Sequence, residues 1–310
     1  MIDFDSTEPP AMMRNLSVSK IETALLCGLK LKYGYVDRLP KLAAWVLVAG
    51  NVLHEILEFA LREFVKTGKY PDWKALDDLY EPTWTRRIAQ EESKKDFIGW
   101  ENRPDDPREK IHREYRPLIR LAREEVLPTL NPWRFGDEPV IEYKIELELD
   151  SEVGPFPLLG YIDYLDASGV LMDWKTTSLN KEGELSKRAQ RTWLQFAAYS
   201  LWAYPIVGEE NLPCEKIFLV RGEKPFVKRK PFVVGPAHRE WFVKVAASVW
   251  KMIKTGLYLP NTEGWWCSPD FCPFFGGCRG EIPGELDYFK KEETEKVTDP
   301  VLVPDEKFFD

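Results

Sequence analysis

The stretch 159–177 contains two short apolar runs separated by Ala-Ser-Gly at 167–169, and it constrains the fold more than any other part of the sequence. Small residues ending in glycine between two apolar runs are typical of a turn that joins adjacent strands. Side chains alternate between the two faces of a strand, so Asp173 and Lys175 should share one face. Asp163, on the preceding strand, should lie beside them. The pattern predicts two carboxylates and an amine at a strand end, which suits a divalent metal and an activated water.

Composition predicts a globular protein and does not exclude DNA as a partner. The chain has 310 residues, of which 44% are hydrophobic and 30% charged, enough for one large core. No apolar run approaches the ~20 residues of a membrane span, and the N-terminus lacks the pattern of an export signal. We therefore expect a cytoplasmic protein without membrane contact. The net charge of −8 is uneven, because residues 281–310 contain ten acidic and four basic residues.

The order of predicted elements indicates an α/β fold with a mixed central sheet flanked by helices. A capping box at Ser19 predicts the first helix, 43–67 has helical spacing, and 140–150 alternates as a half-buried strand. After residue 177 we expect a helix (189–204), a hairpin (215–221 with 226–234) and a long last helix (236–255). We expect a flexible arm (1–14), a single domain (15–280) with a helical insertion (70–130) and a cysteine cluster (265–280), and an acidic tail (281–310).

His54 lies in the predicted helix 43–67, within the sequence HEILE. Zinc proteases carry the related pattern HExxH, but position 58 is Glu58, so the second histidine is missing and we reject that interpretation. Taken alone, His54 is better explained by a structural role on the helix than by a ligand role. Glu142, on the predicted strand 140–150, is the glutamate of that strand for which a site role stays open.

Four sequence features, in this order, resemble the RecB-type branch of the PD-(D/E)XK nuclease superfamily. They are the histidine of AGNVLHEILE, the GYID strand, the DWK strand, and Gln195 followed four residues later by Tyr199. The resemblance covers roughly residues 16–280, except 70–130. It implies a restriction-endonuclease-like core and a Mg²⁺- or Mn²⁺-dependent nuclease.

The resemblance also implies roles for individual residues. Asp163 and Asp173 would bind the metal, with His54 and the backbone carbonyl of Trp174 as further ligands, and Lys175 would serve the attacking water. Gln195 and Tyr199 would position the site and the DNA strand.

Cysteine spacing suggests a second metal site. Cys267, Cys272 and Cys278 lie within twelve residues, while Cys27 lies near the N-terminus and Cys214 is isolated. One early and three late cysteines resemble the 4Fe–4S staple of AddB-like and CRISPR-adaptation-type nucleases. The separation of the first two late cysteines departs from the commonest family spacing, so zinc and the absence of a metal stay open. Cys214 is expected to be a buried thiol.

We expect a DNA exonuclease acting on DNA ends or single strands in recombination, repair or viral DNA processing. Two alternatives stay open: a non-catalytic DNA-end-binding adaptor of the same fold, and a structure-specific endonuclease. The acidic tail ends in two phenylalanines among acids, so it could dock a protein partner or simply be a solubilising segment.

Overall fold

The computed structural model describes residues 13–95, 97–101, 107–191 and 193–281. Residues 1–12 of the predicted arm and 282–310 of the predicted tail lie outside this part of the chain. The chain divides into two units, the first ending at Asn261 and the second beginning at Thr262. The helices of the first unit are α1 (Val18–Leu26), α2 (Gly28–Leu31), α3 (Trp45–Thr67), α4 (Trp73–Asp78), α5 (Tyr80–Glu92), α6 (Arg108–Glu125), α7 (Glu182–Arg191), α8 (Trp193–Val207) and α9 (Pro236–Thr255), with a π-helical turn at Lys32–Val36 and a 3₁₀ turn at Leu127–Thr129.

A five-stranded mixed sheet forms the centre of the first unit, as the sequence predicts. Two short strands, β1 (Arg134–Phe135) and β2 (Glu138–Pro139), pair separately, and the main sheet contains β3 (Ile141–Leu149), β4 (Phe156–Leu165), β5 (Leu171–Thr177), β6 (Leu212–Val220) and β7 (Phe226–Val234). Its order is β3-β4-β5-β6-β7. Neighbours are antiparallel except β5 and β6, which are parallel. A parallel pair requires a crossover, and helices α7 and α8 supply it.

Two hydrophobic clusters cover the two faces of this sheet. Helices α3, α5 and α6 pack on one face, against side chains that include Met172 and Trp174. Helices α1, α8 and α9 pack on the other face, against side chains that include Leu171 and Cys214. The alternation predicted for β5 is therefore confirmed, and Cys214 is buried as predicted.

Several predicted boundaries differ from the observed ones. The first helix is capped by Ser17, whose hydroxyl accepts a hydrogen bond from the Lys20 amide, rather than by Ser19. Ser19 lies inside the helix, where its backbone carbonyl accepts a bond from the Thr23 hydroxyl. The predicted helix 189–204 is two helices, α7 and α8. Ser17 and Ser19 are both favourable N-cap residues, so the sequence pattern alone does not choose between them.

The second unit contains the three late cysteines. Its regular element is α10 (Phe275–Glu281). The amide of Cys272 donates to the Ser268 carbonyl, and the amide of Cys278 donates to the Phe274 carbonyl. All three cysteines are half-buried. Across the described residues, no helix combines the length and apolar character that crossing a membrane requires.

Candidate active site

The charged residues of the site lie in one row across the sheet. Asp173 on β5 pairs in register with Lys216 on β6, and Lys216 pairs with Lys230 on β7. Glu142 and Asp163 continue this row on β3 and β4, because the residues on either side of them pair in the same register. Three acids are thus followed by two lysines on neighbouring strands. Strands lie about 4.8 Å apart where they pair, so this row brings the five side chains to the same part of the sheet.

The sheet opens where the three acids lie. Pairing of β4 with β5 includes Tyr164–Met172 but not the next pair, Asp163 and Asp173. One oxygen of Asp163 instead accepts a hydrogen bond from the Trp174 amide at 3.2 Å. Glu142 has φ +46°, a left-handed conformation that is costly for a residue with a side chain. This opening lets groups from both faces of the sheet meet.

Three side chains at this opening could hold a metal ion. One ligand atom each from His54, Glu142 and Asp163 lie within 4.8 Å of one another. The Nδ1 atom of His54 lies 2.9 Å from Glu142 Oε1 and 3.9 Å from Asp163 Oδ2. Its Nε2 atom lies 3.1 Å from the Trp174 carbonyl oxygen. The two carboxylates and the imidazole form a donor set that suits Mn²⁺ or Mg²⁺, so these three side chains fit a divalent cation.

Asp173 lies beside this group and contacts three polar side chains. Its Oδ1 accepts from Lys175 Nζ at 2.7 Å and from Gln195 Nε2 at 2.7 Å. Its Oδ2 forms an ion pair with Lys216. The ammonium of Lys175 also lies 3.7 Å from Asp163 Oδ2, so this lysine links the two aspartates. Lys175 is the more exposed of the two lysines, with 36% of its side chain accessible against none for Lys216.

The pKa values of the two buried aspartates are shifted in opposite directions. Burial, and next the neighbouring Asp173 carboxylate, raise the pKa of Asp163 to about 7. Burial also opposes ionisation of Asp173, but Lys175 and Lys216 outweigh it and hold the pKa of Asp173 below its ordinary value. Burial would lower the pKa of His54, yet Asp163 and the hydrogen bond with Glu142 raise it. The metal-free site therefore retains protons that a cation would displace.

Tyr199 packs on Gly160 of the GYID strand. A Cβ atom added to Gly160 would lie 2.7 Å from Tyr199 Cε1, so only glycine leaves room for the ring. Gln195 is one turn earlier on α8 and bonds Asp173. Gly160 therefore fixes how closely α8 approaches β4.

Replacement of Gly160 by alanine is expected to reduce the free energy of unfolding by about 1–3 kcal/mol, because a rigid ring cannot move aside easily. Urea unfolding measures this loss. Gly183→Ala in α7 is the matched control, because nothing lies within 4 Å of its added Cβ. Equal unfolding midpoints for the two variants would show that the contact with Tyr199 does not constrain the packing.

The structure brings together most of the residues that the sequence singles out. Six of them meet at the opening of the sheet: His54, Asp163, Asp173, the Trp174 carbonyl, Lys175 and Gln195. Tyr199, on α8, packs against Gly160 of the neighbouring strand β4. Cys27 ends helix α1 and accepts a weak hydrogen bond from the Asn261 amide, while the three late cysteines belong to the second unit.

Sequence reasoning missed Lys216 and left Glu142 open. Lys216 follows Asp173 by 43 positions in the chain, so only the parallel pairing of β5 with β6 reveals it. A lysine between the apolar residues of a buried strand was the available signal. Glu142 looks like any other glutamate of an alternating strand, and its left-handed backbone has no sequence signature.

No curated protein matches this chain by sequence. Among solved structures, SSO0001 is 12% identical, with a TM-score of 0.42, over 87% of this chain and 88% of its own. A protein from Eubacterium rectale, whose name assigns it provisionally to the exonucleases, is 11% identical, with a TM-score of 0.48, over 82% of this chain and 87% of its own.

The sequence model of one family matches residues 15–279, which span the sheet, the residues at its opening and the late cysteines. Members of this family use divalent metals, and the donor group of His54, Glu142 and Asp163 fits that chemistry. The chain belongs to the PD-(D/E)XK nuclease superfamily.

Proposed function

We propose that this protein is a Mg²⁺- or Mn²⁺-dependent deoxyribonuclease, an exonuclease that hydrolyses DNA from ends or along single strands. The observation that carries the proposal is the metal donor group of His54, Glu142 and Asp163 directly beside the Asp173–Lys175 pair. Recombination, repair or viral DNA processing is the context in which we place it. The acidic segment 281–310 is where we would expect a partner protein to bind.

Each residue has a chemical task in this proposal. A bound divalent cation would neutralise the phosphate and lower the pKa of a coordinated water. His54, Asp163, Asp173 and the Trp174 carbonyl would hold it, and Glu142 would be a further ligand. Lys175 projects partly into solvent, so its ammonium could orient the water or stabilise charge that develops on the phosphate. Gln195 keeps the Asp173 carboxylate facing Lys175 through its hydrogen bond. No covalent intermediate is required.

Incubation with end-labelled linear and with circular single-stranded DNA tests the proposal. An exonuclease shortens the linear substrate in the presence of Mg²⁺ or Mn²⁺ and leaves the circle intact. Cleavage of the circle would instead identify an endonuclease. Binding of linear DNA without cleavage under either metal would favour the non-catalytic adaptor and contradict the proposal.

We also propose that Cys27, Cys267, Cys272 and Cys278 hold a 4Fe–4S cluster. Four thiolates suit such a cluster, and the resemblance to iron–sulphur nucleases supports this ligand set. Zinc is the alternative metal for thiolates.

Anaerobically purified protein should then be brown and contain about four iron atoms per chain, as a [4Fe–4S] cluster requires. Cys272→Ser should lose colour and most of the iron. Cys214→Ser is the matched control, because Cys214 is buried in the core of the first unit and should leave the iron content unchanged. Colourless wild-type protein containing zinc would overturn the iron assignment.

A further inference from the structure

An apolar groove lies at the start of helix α3, on the same helix as the metal donor His54. The groove has a volume of about 260 Å³, and its larger apolar side chains are those of Leu42, Leu47 and Phe97. Leu47 is 70% exposed and Leu42 is 47% exposed. Apolar surface of this kind, gathered in one place on a soluble protein, often marks a binding surface. The groove is therefore a candidate binding site.

Helix α3 connects this groove to the metal donor group. Asn51 lines the groove, follows Leu47 by one turn and precedes His54 by three positions. Residues three, four and seven positions apart lie on one face of a helix, so Leu47, Asn51 and His54 form one stripe. The seven residues from Leu47 to His54 span about 10 Å along the helix axis. A ligand in the groove would therefore lie close to a phosphate held at the donor group.

The segment that carries Phe97 is held against the start of α3. The Ala43 amide donates to the Gly99 carbonyl at 3.1 Å, and the Glu101 amide donates to the Ala43 carbonyl at 2.8 Å. The ring of Phe97 packs edge-on to the ring of Trp100, with 5.6 Å between their centroids. The walls of the groove are thus preformed, which lowers the conformational cost of binding.

The charge around the groove indicates the class of ligand. Its charged lining residues are Lys41, Lys94 and Glu91, which together carry one net positive charge. Lys94 and Glu91 pair with each other, so the charge of Lys41 is left to attract an anion. Single-stranded nucleic acid presents apolar base faces beside negative phosphates, whereas paired bases expose only their edges in the duplex grooves. An apolar groove with a positive rim therefore suits an unpaired strand.

We infer that this groove binds a base of single-stranded DNA next to the phosphate that is cleaved, with Leu42, Leu47 and Phe97 in contact with the base. The inference rests on the proposed function and deepens it. It makes the unpaired strand, rather than the duplex, the form of DNA that the site selects.

Binding of fluorescent single-stranded oligonucleotides that each lack one base tests the inference. Fluorescence anisotropy measures their affinities, with Ca²⁺ as the metal so that cleavage is slow. In the wild type, we expect an abasic site at one stretch of adjacent positions to weaken binding about tenfold, because the base no longer covers the apolar groove. Abasic sites elsewhere should have little effect.

Leu47→Ser removes the apolar side chain on α3. The intact oligonucleotide should bind this variant about tenfold more weakly, and an abasic site at the stretch that matters in the wild type should cause no further loss. A purely structural role of Leu47 would instead lower the affinity for all oligonucleotides alike. Leu42→Ser should reproduce the pattern of Leu47→Ser, and both residues are exposed, so neither change should prevent folding.

Phe59→Ser is the matched control. Phe59 is also an exposed apolar residue of α3, but it follows His54 by five positions and therefore lies on another face of the helix. This variant should bind within about twofold of the wild type, because its side chain is away from the groove. It should also keep the dependence on the position of the abasic site.

Two results would overturn the inference: a wild type without any position-specific loss, or a Leu47→Ser variant that keeps the wild-type pattern. A wild-type dimer that Leu47→Ser dissociates would assign the groove to a second copy of the chain, and would overturn it as well. The measurement requires no cleavage. A wild type that shows the expected pattern but does not cleave DNA with Mg²⁺ or Mn²⁺ would contradict the proposed function alone.

Discussion

Lys175→Met is expected to lower kcat for Mg²⁺-dependent cleavage of single-stranded DNA by about a thousandfold, the upper range for removal of one preorganised donor. The methionine keeps the side-chain length but removes the ammonium beside Asp163 and Asp173, which is partly accessible to solvent. Metal binding should be retained, because the donor group of His54, Glu142 and Asp163 stays complete. Single-turnover cleavage at saturating DNA and metal measures the chemical step.

Lys144→Met provides the matched control for this variant. Lys144 is also a strand lysine paired with a carboxylate two residues away, Glu146, but this pair is exposed and lies outside the row. Its kcat should stay within about twofold of the wild type, because exposed pairs contribute little. Wild-type single-turnover cleavage by Lys175→Met would mean that this lysine takes no part in the chemistry.

Asp163→Asn is expected to abolish metal binding and yet stabilise the metal-free protein. Burial and the neighbouring Asp173 raise the pKa of Asp163 to about 7, so its ionised form is unfavourable in the folded state. A pKa shift of one unit corresponds to about 1.4 kcal/mol. Relaxation of the site around the ionised carboxylate will recover part of this cost. We expect Asp163→Asn to raise the free energy of unfolding by about 2 kcal/mol at pH 8. The amide oxygen can still accept the bond from the Trp174 amide.

The pH dependence of this effect has a definite sign. The folded pKa of Asp163 lies above the ordinary carboxyl value of 3.8. The folded protein therefore binds more protons than the unfolded chain between about pH 4 and pH 7. Metal-free wild type should lose stability as the pH rises through this range, and Asp163→Asn should lose less. Denaturant titrations with chelator present, repeated across this range, measure the difference.

Asp166→Asn is the control, and we expect it to lower the free energy of unfolding rather than raise it. The Asp166 carboxylate is also buried, but it accepts bonds from the amides of Asn131 and Ser168 and from the Ser168 hydroxyl. Losing these bonds to a charged acceptor should cost about 1–3 kcal/mol. Mn²⁺ should raise the unfolding temperature of Asp166→Asn and of the wild type but not that of Asp163→Asn. A Mn²⁺-dependent shift in Asp163→Asn would remove Asp163 from the metal site.

The sequence predicts the acids on β4 and β5 because local patterns determine them. A turn between two apolar runs fixes the neighbouring strands, and alternation fixes which face Asp173 shares with Lys175. The mixed α/β architecture also follows from the order of helical and strand patterns. His54, Gln195 and Tyr199 have no such local argument, and only their order along the chain, through the family resemblance, selects them.

Other features of the site depend on contacts between distant segments. Lys216 joins Asp173 because β6 is parallel to β5, and the strand order decides that pairing. Glu142 reaches His54, 88 positions earlier, through a left-handed backbone conformation that tertiary packing must stabilise. The opening of the sheet between Asp163 and Asp173 likewise has no local signal. Register and strain are properties of the assembled sheet, so single-sequence patterns do not predict them.

The central claim is that the opening of the sheet holds the divalent cation of a nuclease. Anomalous diffraction from crystals grown with Mn²⁺ tests it most directly, because it locates the ion without relying on activity. We predict a single strong peak in contact with His54, Glu142, Asp163, Asp173 and the Trp174 carbonyl oxygen, and no peak there in Asp163→Asn. An empty opening at saturating Mn²⁺, with the side chains still paired as in the metal-free protein, would contradict the account.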